Sequence, residues 1–269
     1  MNIAFLLDND NLSNYNYNLI KIAQKHFEND EICLIFDDIN QNIKKIKNIK
    51  VSRYQTGIFK SLLRRIVFFF EKKKLDKLFS KNNYGKKYNA NELNLKKINI
   101  DCIYSKSGLF KSFENNINLF KTLDIDLLIR GNTGILKGEI LEVSKLGILS
   151  PHHGDNRYFK GGPAGFWEVY QKSNKSGFII QKINSKLDDG NIIEREEIST
   201  EKTWWVNRYI LQKKSLDAWN DIFNKIKKGK NLNIIVEDKK IINNKINKYP
   251  KFPILLHYFL KNLLTLKYF

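Results

Sequence analysis

The chain has 269 residues, 42% hydrophobic and 13% aromatic, enough to bury a sizeable core, so a wholly disordered chain is excluded. A formal net charge of +19 raises nucleic acid or an anionic membrane as partners, although Lys, Asn and Ile are abundant along the whole length, which dilutes that signal. In Glu201–Phe269 there are 15 Lys and Arg against 5 Asp and Glu, so the C-terminal quarter carries about half of the positive excess.

The N-terminal "NIAFLL" is a continuous apolar run and predicts a strand buried on both faces. "DNDNLSN" is turn and N-cap chemistry, and "YNLIKIAQKHF" then has helical spacing at Leu19, Ile22, Ala23 and His26. "EICLIF" predicts a second buried strand, so the chain opens as a parallel strand–helix–strand unit. Further on, "IVFFFEKKKLDKLF" reads as a helix with a basic outer face and "SKNNYGKKYNANELN" as a polar loop. "INIDCIYS" predicts a strand, "LFKSFENNINLFKTL" an amphipathic helix, "IDLLIR" a strand, "GEILEVSK" a short helix and "LGILS" a strand. This alternation predicts an α/β chain with a Rossmann-like, open, mostly parallel sheet.

Beyond it, "SGFIIQKI" and "GNIIEREEI" are extended segments around the turn "NSKLDDG". From Thr203 the residues Trp205, Tyr209, Leu216, Trp219, Phe223 and Ile226 recur at helical spacing, which predicts one long amphipathic helix. The boundaries expected are an α/β domain over 1–202 and a basic, helical C-terminal extension over 203–269. "ILLHYFLKNLLTLKYF" has two readings: a helix packed on the domain or on a second copy in a homodimer, or a peripheral contact with anionic lipid. It is too short and too lysine-punctuated to span a bilayer. Cys33 and Cys102 lie in apolar runs, match no zinc spacing and read as reduced core residues. The N-terminus lacks the pattern of a signal peptide, so the expected location is cytoplasmic, with membrane-peripheral contact under the second reading of the tail.

The stretch "GILSPHHGDNRYFKGGPAGFWEVYQ" asks for more than a connecting role. It follows a strand, where open α/β sheets place their ligands. His152 has the chemistry of a base or proton carrier near neutral pH, and Gly161 and Gly162 permit close backbone approach. Adjacent residues on an extended chain point to opposite faces, so His152 and His153 are poorly placed to share one metal ion, and no metal is expected.

"LSPHHGDNRYFKGGPAGF" followed by "SKLDDGNII" resembles the folate-dependent formyltransferases, and "IDLLIRGNTGILKGEIL" resembles that family's segment beside the reduced pterin. The resemblance runs over Ile125–Ile198. It implies the formyltransferase fold and transfer of a formyl group from N10-formyltetrahydrofolate to a primary amine. It places His152 and Asp188 at the catalytic histidine and aspartate. It places Arg130, Gly131, Asn132, Gly134, Ile135, Leu136, Asp189 and Gly190 around the folate. The family's oxyanion-donating Asn is Ser150 here; loss of such a donor costs about 10²–10³ in rate, and Asn156 is the candidate to supply the missing amide. Three acceptor classes follow from the resemblance. Glycinamide ribonucleotide is disfavoured because the turn after the first strand has no glycine, and methionyl-tRNA because no β-barrel domain follows. What is left is a nucleotide-linked aminosugar for surface polysaccharide, with nucleic acid a disfavoured partner. The alternatives are a methionyl-tRNA formyltransferase-like enzyme and a catalytically inactive ligand-binding member.

Overall fold

The computed structural model describes residues 1–37, 58–79, 83–105, 110–131, 134–185, 190–235 and 246–266. Its centre is a seven-stranded sheet built from β1 (Asn2–Leu7), β2 (Glu31–Phe36), β3 (Lys96–Asn99), β4 (Leu127–Arg130), β5 (Ile148–His152), β6 (Lys175–Lys182) and β7 (Asn191–Ser199). The order across the sheet is β7-β6-β5-β4-β1-β2-β3. The strands β3, β2, β1, β4 and β5 are parallel; β6 and β7 run antiparallel as a hairpin at one edge.

Apolar runs form these strands because both faces are covered, as the sequence predicts. Alternate residues go to opposite layers. Ile3, Phe5, Leu34, Ile129, Leu149 and Phe178 pack with α1 (Asn14–His26) and α5 (Trp204–Lys227). Ala4, Leu6, Ile35, Leu128 and Ile148 pack with Phe113, Phe120, Leu136 and Ile140 on the other side. Ser13 caps α1 by accepting from the Asn16 N–H at 3.1 Å. The buried face of α1 is Tyr15, Leu19, Ile20 and Ala23; Ile22 and His26 lie at its flank.

Three local expectations are corrected. Of the run 109–123, the described residues 110–123 do not form one helix. Phe110–Ser112 is a strand, Glu114–Asn116 a 3-10 turn, and only Ile117–Thr122 (α3) is α-helical. Pairing of Phe110–Ser112 between Ile103–Tyr104 and Ile135–Leu136 overrides the helical spacing, and Lys111 is drawn into a buried ion pair with Asp37 at 2.9 Å. The run 98–105 is broken into β3 and the separate strand Ile103–Tyr104, which serve different sheets. The polar loop 80–94 contains a strand, Lys87–Asn89, paired with Asn11–Ser13, and a capped 3-10 turn, Ala90–Leu93.

The helix α2 (Ile58–Leu78) extends well N-terminal of the predicted run, and Arg64, Arg65, Lys73 and Lys77 face solvent. It packs against α5 and α6 (Phe252–Leu266). The long helix α5 has two working sides: Leu211, Trp219 and Phe223 join the core beneath the sheet, while Trp205 and Tyr209 meet Phe68, Phe79 and Tyr84. In α6, Leu255 and Tyr258 are buried beside Trp204, Phe166 and Leu63, while Leu260 is exposed. Among the described residues no helix is long and apolar enough to cross a membrane.

Glu71 joins the three helices. Its carboxylate accepts from the Trp205 N–H at 2.7 Å, in the first turn of α5, and from the Tyr258 hydroxyl at 2.5 Å. Burial pushes its pKa up to about 7, against the pull of those hydrogen bonds. A carboxyl whose folded pKa is raised contributes stability that is fully present below its unfolded pKa and is lost as pH rises through the folded one. Between pH 4.5 and 7 this group therefore removes on the order of 3 kcal/mol of stability. Urea unfolding at pH 5 and pH 8 is expected to show a smaller loss for Glu71→Gln than for wild type; equal losses would remove Glu71 as the cause.

Candidate active site

The parallel strands reverse their winding direction between β1 and β4, and the crevice outside their carboxyl ends is the expected ligand position. The structure brings there the ends of β4 and β5 and the loop 153–165. His152 is the last residue of β5 and lies on the same face as Ser150 and Ile148, toward the layer that contains Leu136. Its Nε2 is 3.2 Å from the Phe159 carbonyl oxygen, so the loop folds back over the ring. A Cβ at Gly154 would sit 2.8 Å from the Phe159 oxygen and 2.9 Å from His152 Nε2, which explains a glycine in that fold-back.

His153 points to the opposite face. Its ring meets Tyr15 edge-on at 4.8 Å, and burial, with the nearby charges of Arg208 and His152, lowers its pKa to about 3. It is neutral at physiological pH. The divergence of the two imidazoles follows from strand alternation.

Asp155 and Asn156 are buried and hold the loop to the sheet edge. Asp155 accepts from the Arg157 N–H at 2.9 Å and from its guanidinium at 2.6 Å, and pairs with Arg195 of β7. Burial pushes the Asp155 carboxyl up, but the Arg157 hydrogen bonds and the Arg195 charge outweigh it and hold the pKa below the usual carboxylate range. Asn156 Oδ1 accepts from Arg195 Nη2 at 2.9 Å, so this oxygen is turned toward β7. Ser150 is buried in β5, in register with Gln181 of β6.

At the end of β4, the Arg130 guanidinium donates to the Gly134 carbonyl. The Gly131 N–H bonds Leu6 O at 2.9 Å, and its carbonyl accepts from the Asn16 amide at 3.1 Å. A Cβ at Gly131 would approach Leu7 to 2.8 Å, and Gly134 has a φ of +87°, which favours glycine. Ile135–Leu136 is an edge strand of its small sheet. Gly190 is locked to the end of β6 through its N–H to Gln181 Oε1 at 2.9 Å, with no room for a side chain against Lys182 O. Asn132, Asp188 and Asp189 lie outside the described residues.

Sequence reasoning missed the residues that brace the loop. Arg195 sits within the acidic run "EREEI", and a lone cation there was the available signal. Asn207, fully buried in the first turn of α5, donates to Gly165 O at 3.1 Å and Ser176 Oγ at 2.9 Å. Trp204 Nε1 donates to Ala164 O at 2.9 Å. Nothing in the helical spacing marked these two as loop-holding residues.

No family model matches the chain. Over 101 residues, 37% of this chain, it is 31% identical to the methionyl-tRNA formyltransferase of Rickettsia prowazekii (strain Madrid E), and the match spans 33% of that protein. The chain thus spans about a third of the length of the curated relatives it matches. In structure it is similar to glycinamide ribonucleotide transformylase 1 from Symbiobacterium toebii, with a TM-score of 0.55 and 12% identity over 88% of this chain and 91% of that one. It is also similar to the N-formyltransferase from Helicobacter canadensis in complex with folinic acid and dTDP-3-aminofucose, with a TM-score of 0.51 and 15% identity over 100% of this chain and 82% of that one. The chain thus shares the fold of these formyltransferases and, over those 101 residues, is similar in sequence to the Rickettsia prowazekii methionyl-tRNA formyltransferase.

Proposed function

We propose that this chain is an N-formyltransferase that moves the formyl group of N10-formyltetrahydrofolate to a primary amine on a nucleotide-linked sugar. The observation that carries formyl transfer is the placement of His152 at the carboxyl end of β5, on the face of Ser150 and beneath a loop braced by Arg195. The donor supplies an activated formyl carbon. In this reading His152 hydrogen-bonds the oxygen that gains charge as the amine adds, and the resemblance assigns acceptance of the amine's proton to Asp188. The outer edge of Ile135–Leu136 offers backbone N–H and C=O groups suited to the amide-like edge of a reduced pterin, and the resemblance assigns Arg130, Gly131, Asn132, Gly134, Asp189 and Gly190 to the same ligand.

Two observations support the sugar nucleotide as acceptor. The similarity to the Helicobacter canadensis enzyme takes in all of this chain, including the C-terminal helices, whereas that to the glycinamide enzyme takes in 88%. The turn after β1, "DNDNLSN", also lacks the glycines of a close-approach phosphate loop. The 101-residue match favours methionyl-tRNA as a second reading.

The test is a melting curve with 5-formyltetrahydrofolate, then assays with a dTDP-aminosugar and with methionyl-tRNA. Saturating folate is expected to raise the melting temperature of wild type, since a ligand at 100 times its Kd adds about 2.7 kcal/mol. Asp188→Ala is expected to keep the shift and lose turnover. No shift at millimolar folate would sink formyl transfer, and formylation of methionyl-tRNA alone would sink the sugar acceptor.

A further inference from the structure

Lys111 is a cation almost closed off from water. It sits in Phe110–Ser112, the middle strand of the small sheet between Ile103–Tyr104 and Ile135–Leu136, and is 1% exposed. Its ammonium pairs with Asp37 Oδ2 at 2.9 Å and with Asp8 Oδ1 at 3.4 Å. Asp8 directly follows β1 and Asp37 directly follows β2, so one cation joins the carboxyl ends of two neighbouring strands of the central sheet. Asp37 is fully buried, with its N–H bonded to Leu7 O at 2.9 Å, while Asp8 keeps some contact with solvent. The centre of the Tyr104 ring lies 5.5 Å from the ammonium.

The same residue is tied to the strand Ile135–Leu136. Lys111 stands in parallel register with Leu136, and its carbonyl accepts from the Lys137 N–H at 2.8 Å. Its aliphatic stem crosses Gly134: a Cβ there would lie 3.0 Å from Cε, 3.1 Å from Cγ and 3.2 Å from Cδ. Among the described residues the small sheet and the central sheet share no backbone ladder. Leu136 and Ile140 share an apolar cluster with Leu6 and Leu128, but apolar contact is non-directional and fixes position loosely.

We propose that Lys111 is a positioning residue for the donor: its ion pairs with Asp37 and Asp8 clamp Gly134 and the strand Ile135–Leu136 to the ends of β1 and β2, so that affinity for the reduced folate depends on them. This rests on the formyl-transfer reading, in which the outer edge of Ile135–Leu136 meets the pterin; Lys111 acts through that strand. A buried ion pair adds little net stability over apolar groups of the same volume, whereas losing one partner strands a charge in the interior. What the pair adds is a charge-assisted, directional contact at a fixed place. A ligand edge made of backbone groups needs that precision, because hydrogen bonds weaken steeply as their angle closes.

The test combines calorimetric titration of the full chain with 5-formyltetrahydrofolate and amide hydrogen exchange. Lys111→Met leaves Asp37 buried without its ammonium and is expected to melt well below wild type. Lys111→Met combined with Asp37→Asn removes both charges and is expected to recover most of the melting temperature. Both proteins are expected to bind folate about 10-fold more weakly than wild type, the worth of roughly one hydrogen bond at the ligand edge. Both are also expected to exchange the Lys137 amide faster, with the amides of β1 and β4 unchanged. Asp8→Asn, at the partly exposed partner, tests the same clamp if the other two fail to fold, with a smaller loss in the same sense. Wild-type folate affinity in the double variant would make the pair merely structural and overturn the donor role. Unchanged Lys137 exchange in that variant would overturn the clamp whatever its folate affinity. Faster Lys137 exchange in the variant, with no folate binding by wild type, would support the clamp and sink formyl transfer instead.

Discussion

His152→Ala is expected to lower kcat for formyl transfer by about 10³, within the range that positioned acid–base groups contribute. The loss is confined to chemistry because of where the ring sits. It is half-buried at the end of β5, and its Nε2 lies 3.2 Å from the Phe159 carbonyl oxygen. The loop above it is held independently by Asp155, Arg157 and Arg195. Removing the imidazole therefore leaves the loop braced. Unfolding free energy is expected to stay within about 1 kcal/mol of wild type, and the folate-induced rise in melting temperature to persist. Single-turnover rates with saturating donor check this. A variant that turns over at the wild-type rate would remove His152 from the chemistry, and one that loses folate binding as well would make it a structural residue of the loop.

Trp204→Ala is expected to be the most damaging single change to stability outside the sheet, at about 3–5 kcal/mol. Trp204 is fully buried at the start of α5 and packs on Phe166 at 5.0 Å and Trp205 at 4.5 Å between ring centres. Its backbone N–H donates to the Tyr258 hydroxyl at 2.7 Å, which ties α6 to α5. Its indole N–H reaches Ala164 O in the active-site loop, so one side chain joins the C-terminal helices to the site. Trp204→Phe keeps much of the packing and gives up that hydrogen bond, so about 1–2 kcal/mol is expected. Urea unfolding orders the three proteins. Below its melting temperature Trp204→Ala is also expected to show a raised KM, because Ala164 and Gly165 lose one of their anchors. A Trp204→Ala chain within 1 kcal/mol of wild type would show that α5 and α6 do not stabilise the loop.

The strands of the central sheet were legible because burial on both faces demands continuous apolar residues, and "NIAFLL", "EICLIF", "IDLLIR" and "GILS" have nothing else to be. The site loop was legible for a related reason. A glycine-rich, histidine-bearing segment directly after a buried strand falls at the carboxyl edge of the sheet, and the structure places His152, Gly161 and Gly162 there. Residues 109–123 were misread because Phe113 and Phe120 repeat at a helical interval whether or not the backbone between them is helical. What decided Phe110–Ser112 was pairing with Ile135–Leu136, a contact no local window contains.

Local pattern and composition thus determined the α/β architecture, the parallel core, the long C-terminal helix and the position of His152, because each depends on neighbours close in sequence. Only the tertiary structure decided what surrounds that histidine. Arg195 meets Asp155 across 40 positions, Trp204 meets Ala164 across 40, and Glu71 meets Tyr258 across 187. Hydrogen bonds and ion pairs between such distant residues leave no periodic trace in a sequence. They form because the sheet and helices, once packed, bring buried polar groups together that must be satisfied where no water reaches them.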